Sequence, residues 1–544
     1  MAARQGPGTP EPQGFAAAFS AGDPRAEQFL PATFRRRIGT LRPTTPVAPA
    51  LLSELADQQR RWGMSPARAR MLDKLSHPDA RVVVTGQQLG LFLGPLYTVY
   101  KALSAVEWAS RLEAASGAPV VPVFWLQTED HDFPEIGTCR TVDGDGLLQT
   151  FSVNSPEAPR VSIAHRTCGA DVVGALEALR ASVASLPNAD ATFERFAKGF
   201  KPGASWVDAF AGTLADCFAD EGLLLLNPRT KVFAAAAASI HGRAIEDSAT
   251  FGRVLEERSV ALTAANFRVQ VKVRPECSLS FFHPDGASGP RYRLKPGPGG
   301  FSLAGREGRV SVEEIADAMR SEPMRFSTSA LLRPVVQDTL LPTAAYIAGP
   351  GEIGYFAQLK PLYAAFDLQM PMIIPRRHYT LVEPEARRVL SQVNVEPSTL
   401  TVDTLDRLAR AAMVLDPEAL RSSLSAELDG ALDRISEQLV ALDPGLQRAL
   451  ERTRKTVSFA FGRLAQRVGR AQLRDDQEQN RRLKVLQNFL LPNRSRQERT
   501  VGIARYMARF GWEELKRALR NADDPGPGCF TAVEPLPIPT GGRL

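Results

Sequence analysis

Five short apolar runs constrain this chain more than any other feature of it. Arg81-Val-Val-Val-Thr85, Val120-Val-Pro-Val-Phe-Trp-Leu126, Leu223–Leu226, Ala344–Ala348 and Met372-Ile-Ile374 are strand-length and show no polar alternation. A strand that is apolar on both sides has to be covered on both sides. Segments of helical periodicity separate most of the runs. Pro95–Ser116 is the clearest, with Val99, Leu103, Val106 and Ala109 three or four apart and Gly117-Ala-Pro119 as its stop. Short buried strands alternating with helices predict an α/β fold with a Rossmann-like parallel-sheet core.

Other segments depart from that alternation. Gly137 to about Asn188, and Phe267–Val310, read as insertions on the sheet. The second reads as hairpins over Arg268–Val273, Leu279–Phe282 and Arg291–Leu294, punctuated by Pro284-Asp-Gly286 and Gly297-Pro-Gly-Gly300. From Leu420 the period turns helical and stays so. Leu420, Leu424, Leu428, Leu432, Ile435, Leu439 and Leu442 form one seam, Asp443-Pro444-Gly445 interrupts it, and Leu450, Val457, Phe461, Leu464, Val468 and Ala471 resume it. This predicts an α-helical coiled-coil arm, whose second helix would reach about 65 Å if continuous to residue 490. The expected organisation is a loose arm over 1–30, a core with insertions over 31–395, the coiled-coil arm over 396–490, and a helical tail over 491–544 returning to the core.

Composition narrows the class. Apolar residues make up 44% and charged residues 23% of 544, which is globular rather than disordered. Cys139, Cys168, Cys217, Cys277 and Cys529 are odd in number and scattered, so neither a disulfide scaffold nor a zinc knuckle is expected. No apolar run reaches 18 residues and the first 15 residues are polar, so no membrane span or secretory signal is expected and the cytoplasm is the default compartment. Leu446–Arg520 holds 19 Lys/Arg against 7 Asp/Glu, within a chain of net charge +6. With few aromatics interleaved, this basic stretch reads as a solvated helical face rather than a nucleic-acid surface.

Residues with chemical potential gather after the predicted strands. Thr85-Gly86-Gln87-Gln88, continuing through Gly94, Tyr97 and Lys101, is a Gly-rich turn opening a helix. Such turns suit anions, although this one matches no standard phosphate loop. Lys101 is read either as part of the site or as a solvated helical residue. Glu129-Asp130-His131-Asp132 follows the second strand. That end of an open α/β sheet is where ligands bind, and the four side chains suit general-base, amine-holding or Mg²⁺ roles. Gly349, Gly351 and Glu352 form a second Gly-rich helix start, with Gln358 further along it. Arg333, Gln337 and Asp338 lie just upstream, and Arg376 follows the fifth strand. Arginine there suits a carboxylate or phosphate. His131 and Cys139 match no zinc spacing, so zinc is not expected.

Taken together the motifs resemble the BshC family, the cysteine-adding enzymes of bacillithiol biosynthesis. The resemblance rests on Thr85-Gly-Gln-Gln88, Gly94-Pro-Leu-Tyr-Thr-Val-Tyr-Lys101, Phe124-Trp-Leu-Gln-Thr-Glu-Asp-His-Asp132, Leu332-Arg-Pro-Val-Val-Gln-Asp-Thr-Leu-Leu-Pro342, Ala348-Gly-Pro-Gly-Glu-Ile-Gly-Tyr355 and Gln497-Glu-Arg499. It implies a ligase that joins cysteine to the amino group of glucosaminyl-malate and dimerises through the coiled coil. It also implies ATP as co-reactant, with Mg²⁺ beside it. The nucleotide would meet the turns at Thr85–Gln88, Gly94–Lys101 and Gly349–Glu352. Glu129–Asp132 would carry the chemistry, and Arg333, Gln337, Asp338, Gln358 and Arg376 would bind substrate. The chain departs from related cysteine-activating enzymes in having Thr85-Gly-Gln-Gln88 in place of a His-x-Gly-His motif. It also lacks a KMSKS-like loop. A metal-dependent nucleotidyltransferase or hydrolase built on Glu129–Asp132, and a non-catalytic coiled-coil ligand-binding protein, are the rival readings.

Overall fold

The structure is a computed structural model, and it describes residues 14–30, 45–155, 160–411, 416–475, 477–523 and 530–535. Cys529 and the first 13 residues lie outside them.

The five apolar runs are the five strands of one parallel sheet. They are β1 (Arg81–Gln87), β2 (Val120–Leu126), β3 (Leu224–Leu226), β4 (Thr343–Ala348) and β5 (Met372–Pro375). Their spatial order is β5-β4-β1-β2-β3, with every neighbouring pair parallel. The chain builds outward from β1 through β2 to β3, then crosses to the other side of β1 for β4 and β5. The reversal leaves a crevice at the carboxyl ends of β1 and β4, where open α/β sheets bind ligands.

Alternate residues of β1, β2, β4 and β5 feed two cores, which is why the middles of these runs carry no polar positions. Val82 and Val84 of β1, Trp125 of β2 and Tyr346 of β4 enter one core. Val83 of β1, Ala345 and Ile347 of β4 and Ile374 of β5 enter the other, against Ala105, Trp108 and Leu112 of α1 (Tyr97–Ser116). Two further helices matter for the crevice: α2 (Arg333–Leu340) and α3 (Pro350–Ala365).

Residues 14–30 correct an expectation. They form helices at Phe15–Ser20 and Pro24–Glu27, and Phe15, Phe19, Phe29 and Leu30 are buried in the first core. The Pro and Gly content of the neighbouring sequence suggests a loose arm, but its phenylalanines close the sheet's face, with Phe15 and Phe267 rings 5.0 Å apart. The second insertion is also rearranged. Arg268–Val273 is not a strand; Ser280–Phe282, Tyr292–Gly297, Gly300–Leu303, Arg309–Val310 and Phe326–Thr328 make an antiparallel sheet.

The chain divides into two compact units, and the second holds residues 145–148 and 380–497. In it Pro417–Leu442 and Leu446–Asp475 are paired helices joined at Asp443-Pro444-Gly445. Arg454 bridges the hairpin to Asp429 at 3.0 Å and Asp433 at 2.5 Å. Residues 498–535 belong to the first unit. Among the described residues no helix is long and apolar enough to cross a membrane. Cys139, Cys168, Cys217 and Cys277 are buried and form no disulfide among the described residues.

Candidate functional site

A cavity of about 390 Å³ opens at the carboxyl ends of the strands. The ends of β1, β2, β4 and β5, or the turns that follow them, line it. Gln87 and Gln88 come from β1, and Gln127, Glu129 and Asp130 from the turn after β2. Gly349, Gly351 and Glu352 come from the turn after β4, and Arg376 from the end of β5. The insertion adds Gln270, Arg291 and Thr328, α1 adds Tyr97 and Lys101, and α2 adds Arg333.

Lys101 fixes one wall. Its ammonium donates to the Gly86 carbonyl at 2.7 Å and the Gln87 amide oxygen at 2.9 Å, and lies 2.5 Å from Glu352 Oε2. Three donors thus meet three acceptors in a buried setting, so the solvated reading of Lys101 is set aside. Burial disfavours the charged form and outweighs the Glu352 carboxylate, bringing its pKa down to about 8. Glu352 also accepts from Tyr346 Oη at 2.7 Å and from the Gly349 N–H at 2.7 Å.

Two carboxylates also line the cavity, Glu129 and Asp130. Asp130 accepts from its neighbour's backbone N–H, that of His131, at 2.7 Å, from Gln88 Nε2 at 2.7 Å and from Arg291 Nη2 at 3.4 Å. Burial alone would raise its pKa, but these donors outweigh burial and hold the carboxyl well below the usual carboxylate range. Such a carboxylate is a weak base. His131 does not line the cavity; its Nδ1 accepts from Arg291 at 2.9 Å. Asp132 is exposed outside it. Glu129 does line it. Its Oε2 accepts from the Thr328 N–H at 3.2 Å and from the Thr328 hydroxyl, while no hydrogen bond engages Oε1 among the described residues. Of the four acidic-cluster residues, Glu129 and Asp130 reach the cavity together.

The arginines differ in their commitments. Arg376 is buried and donates through Nη1 and Nη2 to the two Glu498 oxygens, each at 2.7 Å. His378 Nδ1 sits 2.9 Å from the same carboxylate. The sequence points to Arg376 as a substrate-binding residue; it lines the cavity, with its fork engaged by Glu498. Arg333 donates to Gln337 Oε1 at 2.8 Å and Tyr355 Oη at 2.9 Å. It makes no ion pair with a carboxylate among the described residues, although it is only 7% exposed.

Other expected site residues hold structure instead. Thr85 is buried and donates to the Ile347 carbonyl at 3.0 Å, tying β1 to β4. A Cβ on Gly86 would lie 2.7 Å from the Trp125 carbonyl oxygen, so its glycine serves strand packing. Gln337 braces Arg333, and Asp338 accepts from Gln337 and from the Tyr363 hydroxyl. Gln358 grips the Val271 backbone at 3.0 and 2.9 Å. Gly94 lies outside this cavity, in a second one beside it. Two of the three turns expected to meet the nucleotide have groups already engaged. The Glu352 carboxylate already occupies the Gly349 amide, and the Gly86 carbonyl faces Lys101. Among the described residues no three His, Cys, Asp or Glu side chains converge on a metal-sized site.

Residues 13–377 match the family described as "Bacillithiol biosynthesis BshC, N-terminal Rossmann-like domain", and 379–531 match its "C-terminal coiled-coil domain". This chain belongs to the BshC family. Proteins named "Putative cysteine ligase BshC" are similar to it over most of both chains. The one from Salinibacter ruber is 32% identical over 89% of each chain. The one from Koribacter versatilis is 33% identical over 83% of each, and that from Chlorobaculum tepidum 30% over 85% of this chain and 84% of its own. The BshC assignment covers both compact units. Sequence reading misses Arg291, Thr328 and Gln270, which come from the insertion. The signal available there is a charged residue, Arg291, opening a strand-like run.

Proposed function

We propose that this chain is a ligase that joins the carboxyl group of cysteine to the amino group of glucosaminyl-malate, completing a low-molecular-weight thiol. The observation that carries the reading is Arg333, a buried cation lacking a carboxylate ion-pair partner among the described residues, lining the same cavity as Glu129 and Asp130. A malate carboxylate suits that guanidinium, which binds carboxylates in a planar fork. The substrate amine, an ammonium in water, is held by Asp130 and gives a proton to Glu129 Oε1. The neutral nitrogen then attacks the activated cysteine carbonyl carbon, the bond from that carbon to its activated oxygen breaks, and the oxygen leaves with the phosphate or AMP it carries, taking up the second amine proton. ATP is the expected activating co-reactant. Exposed Leu442 and Phe459 on the helical hairpin support a homodimer through the coiled coil, which sedimentation would test. The buried cysteines, which form no disulfide among the described residues, support a reducing, cytoplasmic location.

The test is product mass spectrometry of the purified protein with cysteine, glucosaminyl-malate and ATP. Wild type is expected to form the cysteinyl adduct, and Glu129→Gln to lose about 10²- to 10⁴-fold in kcat. Absence of adduct from a folded wild type overturns the ligase reading. Full turnover by Glu129→Gln removes the base from that residue.

A further inference from the structure

A second cavity, of about 320 Å³, lies on the other side of Gln87 and Gln88. Tyr97, Glu135 and Arg499 line both cavities. Gln88 joins them, since its Nε2 donates at once to Asp130 at 2.7 Å and to Glu135 at 2.8 Å.

Four observations describe what this second cavity is built to meet. Thr98 is 0% exposed and lines it, and its hydroxyl is buried without a hydrogen-bond partner. Burying such a group unpaired costs free energy, so the position makes sense when a ligand accepts from it. Arg140 and Arg499 also line the cavity, and neither guanidinium has an ion-pair partner among the described residues. The wall includes Pro95, Tyr97 and Thr98, the start of the 20-residue helix α1, where the helix dipole favours negative charge. The turn leading into that helix is strained, with left-handed φ at Phe92 (52°), Leu93 (71°) and Gly94 (65°). Bulky residues keep such angles only where the surroundings enforce them. Here the enforcement is visible. The Leu96 N–H donates to the Val501 carbonyl at 2.9 Å and the Gly502 N–H to the Arg140 carbonyl at 2.8 Å, so residues 499–502 are stitched between the turn and the strand carrying Arg140. Cys139 shares the cavity but is no nucleophile there, because burial pushes its thiol up to about 12.

We propose that this cavity is a distinct anion subsite, in which Thr98 Oγ1, Arg140 and Arg499 bind the phosphate or carboxylate group of a small ligand. Thr98 and Arg140 line this cavity and not the first one, which lets the test be kept apart from ligation. Calorimetry on the full chain uses two probes, inorganic phosphate and L-malate, against wild type, Thr98→Val, Thr98→Ser and Arg140→Gln, with Arg333→Gln as the variant of the first cavity. Thr98→Val keeps the side-chain volume and deletes a hydroxyl that has no partner, so its thermal midpoint is expected to hold or rise. Its affinity for the anion is expected to fall about tenfold, with Thr98→Ser restoring it and Arg140→Gln weakening it by tenfold or more. Loss confined to phosphate identifies a phosphoryl ligand, and loss confined to malate identifies a carboxylate. The proposal is overturned if Thr98→Val and Arg140→Gln bind both probes as wild type does, or if neither probe binds wild type at 10 mM (about a hundred times a 0.1 mM dissociation constant). Binding is read without turnover, so these outcomes stand whether or not the protein ligates cysteine.

Discussion

Replacing Glu498 by Gln removes one charge of a buried pair and leaves the Arg376 guanidinium without its carboxylate. Both side chains are 2% exposed and their contact is bidentate at 2.7 Å. Burial raises the Glu498 pKa, but Arg376 and His378 outweigh it and push the carboxyl from 4.5 down to about 2. A folded value below the unfolded one means that ionised Glu498 stabilises the fold. The contribution is complete above pH 4.5 and is lost as pH falls through 2. At 1.36 kcal/mol per pH unit it amounts to about 3 kcal/mol at pH 7, and to about 2 kcal/mol at pH 3.5. That agrees with about 3–5 kcal/mol for breaking a buried pair on one side. Urea denaturation of wild type and Glu498→Gln at pH 7 and pH 3.5 measures both gaps. A difference under about 1 kcal/mol at pH 7, or one that does not narrow at pH 3.5, refutes the reasoning. Because Arg499 follows Glu498 and lines both cavities, the variant is also expected to weaken ligand binding.

Lys101, with its pKa lowered to about 8, is charged below that pH and neutral above it. Because neutral Lys101 loses its ion pair with Glu352 and loosens that part of the cavity, substrate affinity is expected to fall as pH rises through 8, and Lys101→Met to show a flat profile; a steady-state KM series across about pH 6.5–9.5 checks this. Arg333→Gln is expected to raise KM for the carboxylate-bearing substrate by about ten- to a hundredfold with a smaller effect on kcat; an unchanged KM places that carboxylate elsewhere. Gly86→Ala sets a Cβ 2.7 Å from a fixed carbonyl oxygen and is expected to cost about 1–3 kcal/mol of stability by denaturant titration.

How far the fold is legible follows from what each signal encodes. Val82, Val83 and Val84 face alternate cores, so an unbroken apolar run announces a doubly covered strand on its own. The Asp443-Pro-Gly445 break announces the helical hairpin equally directly. Phe15 gives no local sign of its burial, because its partner, Phe267, lies some 250 residues away in sequence, and no short-range pattern states that pairing. The site shows the same division. Glu129 and Asp130 follow a strand and are legible by place. Arg376 is legible as a cation, but its commitment to Glu498 is a tertiary fact. Thr328 and Arg291 enter from an insertion whose strands pair in an order that spacing does not dictate.

The charges around the first cavity are ordered by their commitments. Lys101 is held by Glu352, Arg376 by Glu498, and Arg291 by Asp130. Each of these cations is neutralised from within, so each is a beam rather than a hand. Arg333 and Arg499 have no carboxylate of their own among the described residues, and Arg333 is desolvated besides. Burial alone would disfavour the Arg333 charge, but Tyr346, Tyr355 and Glu352 around it outweigh burial and keep the guanidinium charged, so a cation is in place when an anion arrives. The ligand's negative charge is therefore expected beside Arg333, and its reacting amine beside Glu129 and Asp130, which line the same cavity. A substrate with carboxylate at one end and amine at the other meets both groups in one orientation only. Reversed, it would set its carboxylate against two acidic side chains and its ammonium against a guanidinium. The charge pattern thus works against the wrong pose as well as for the right one.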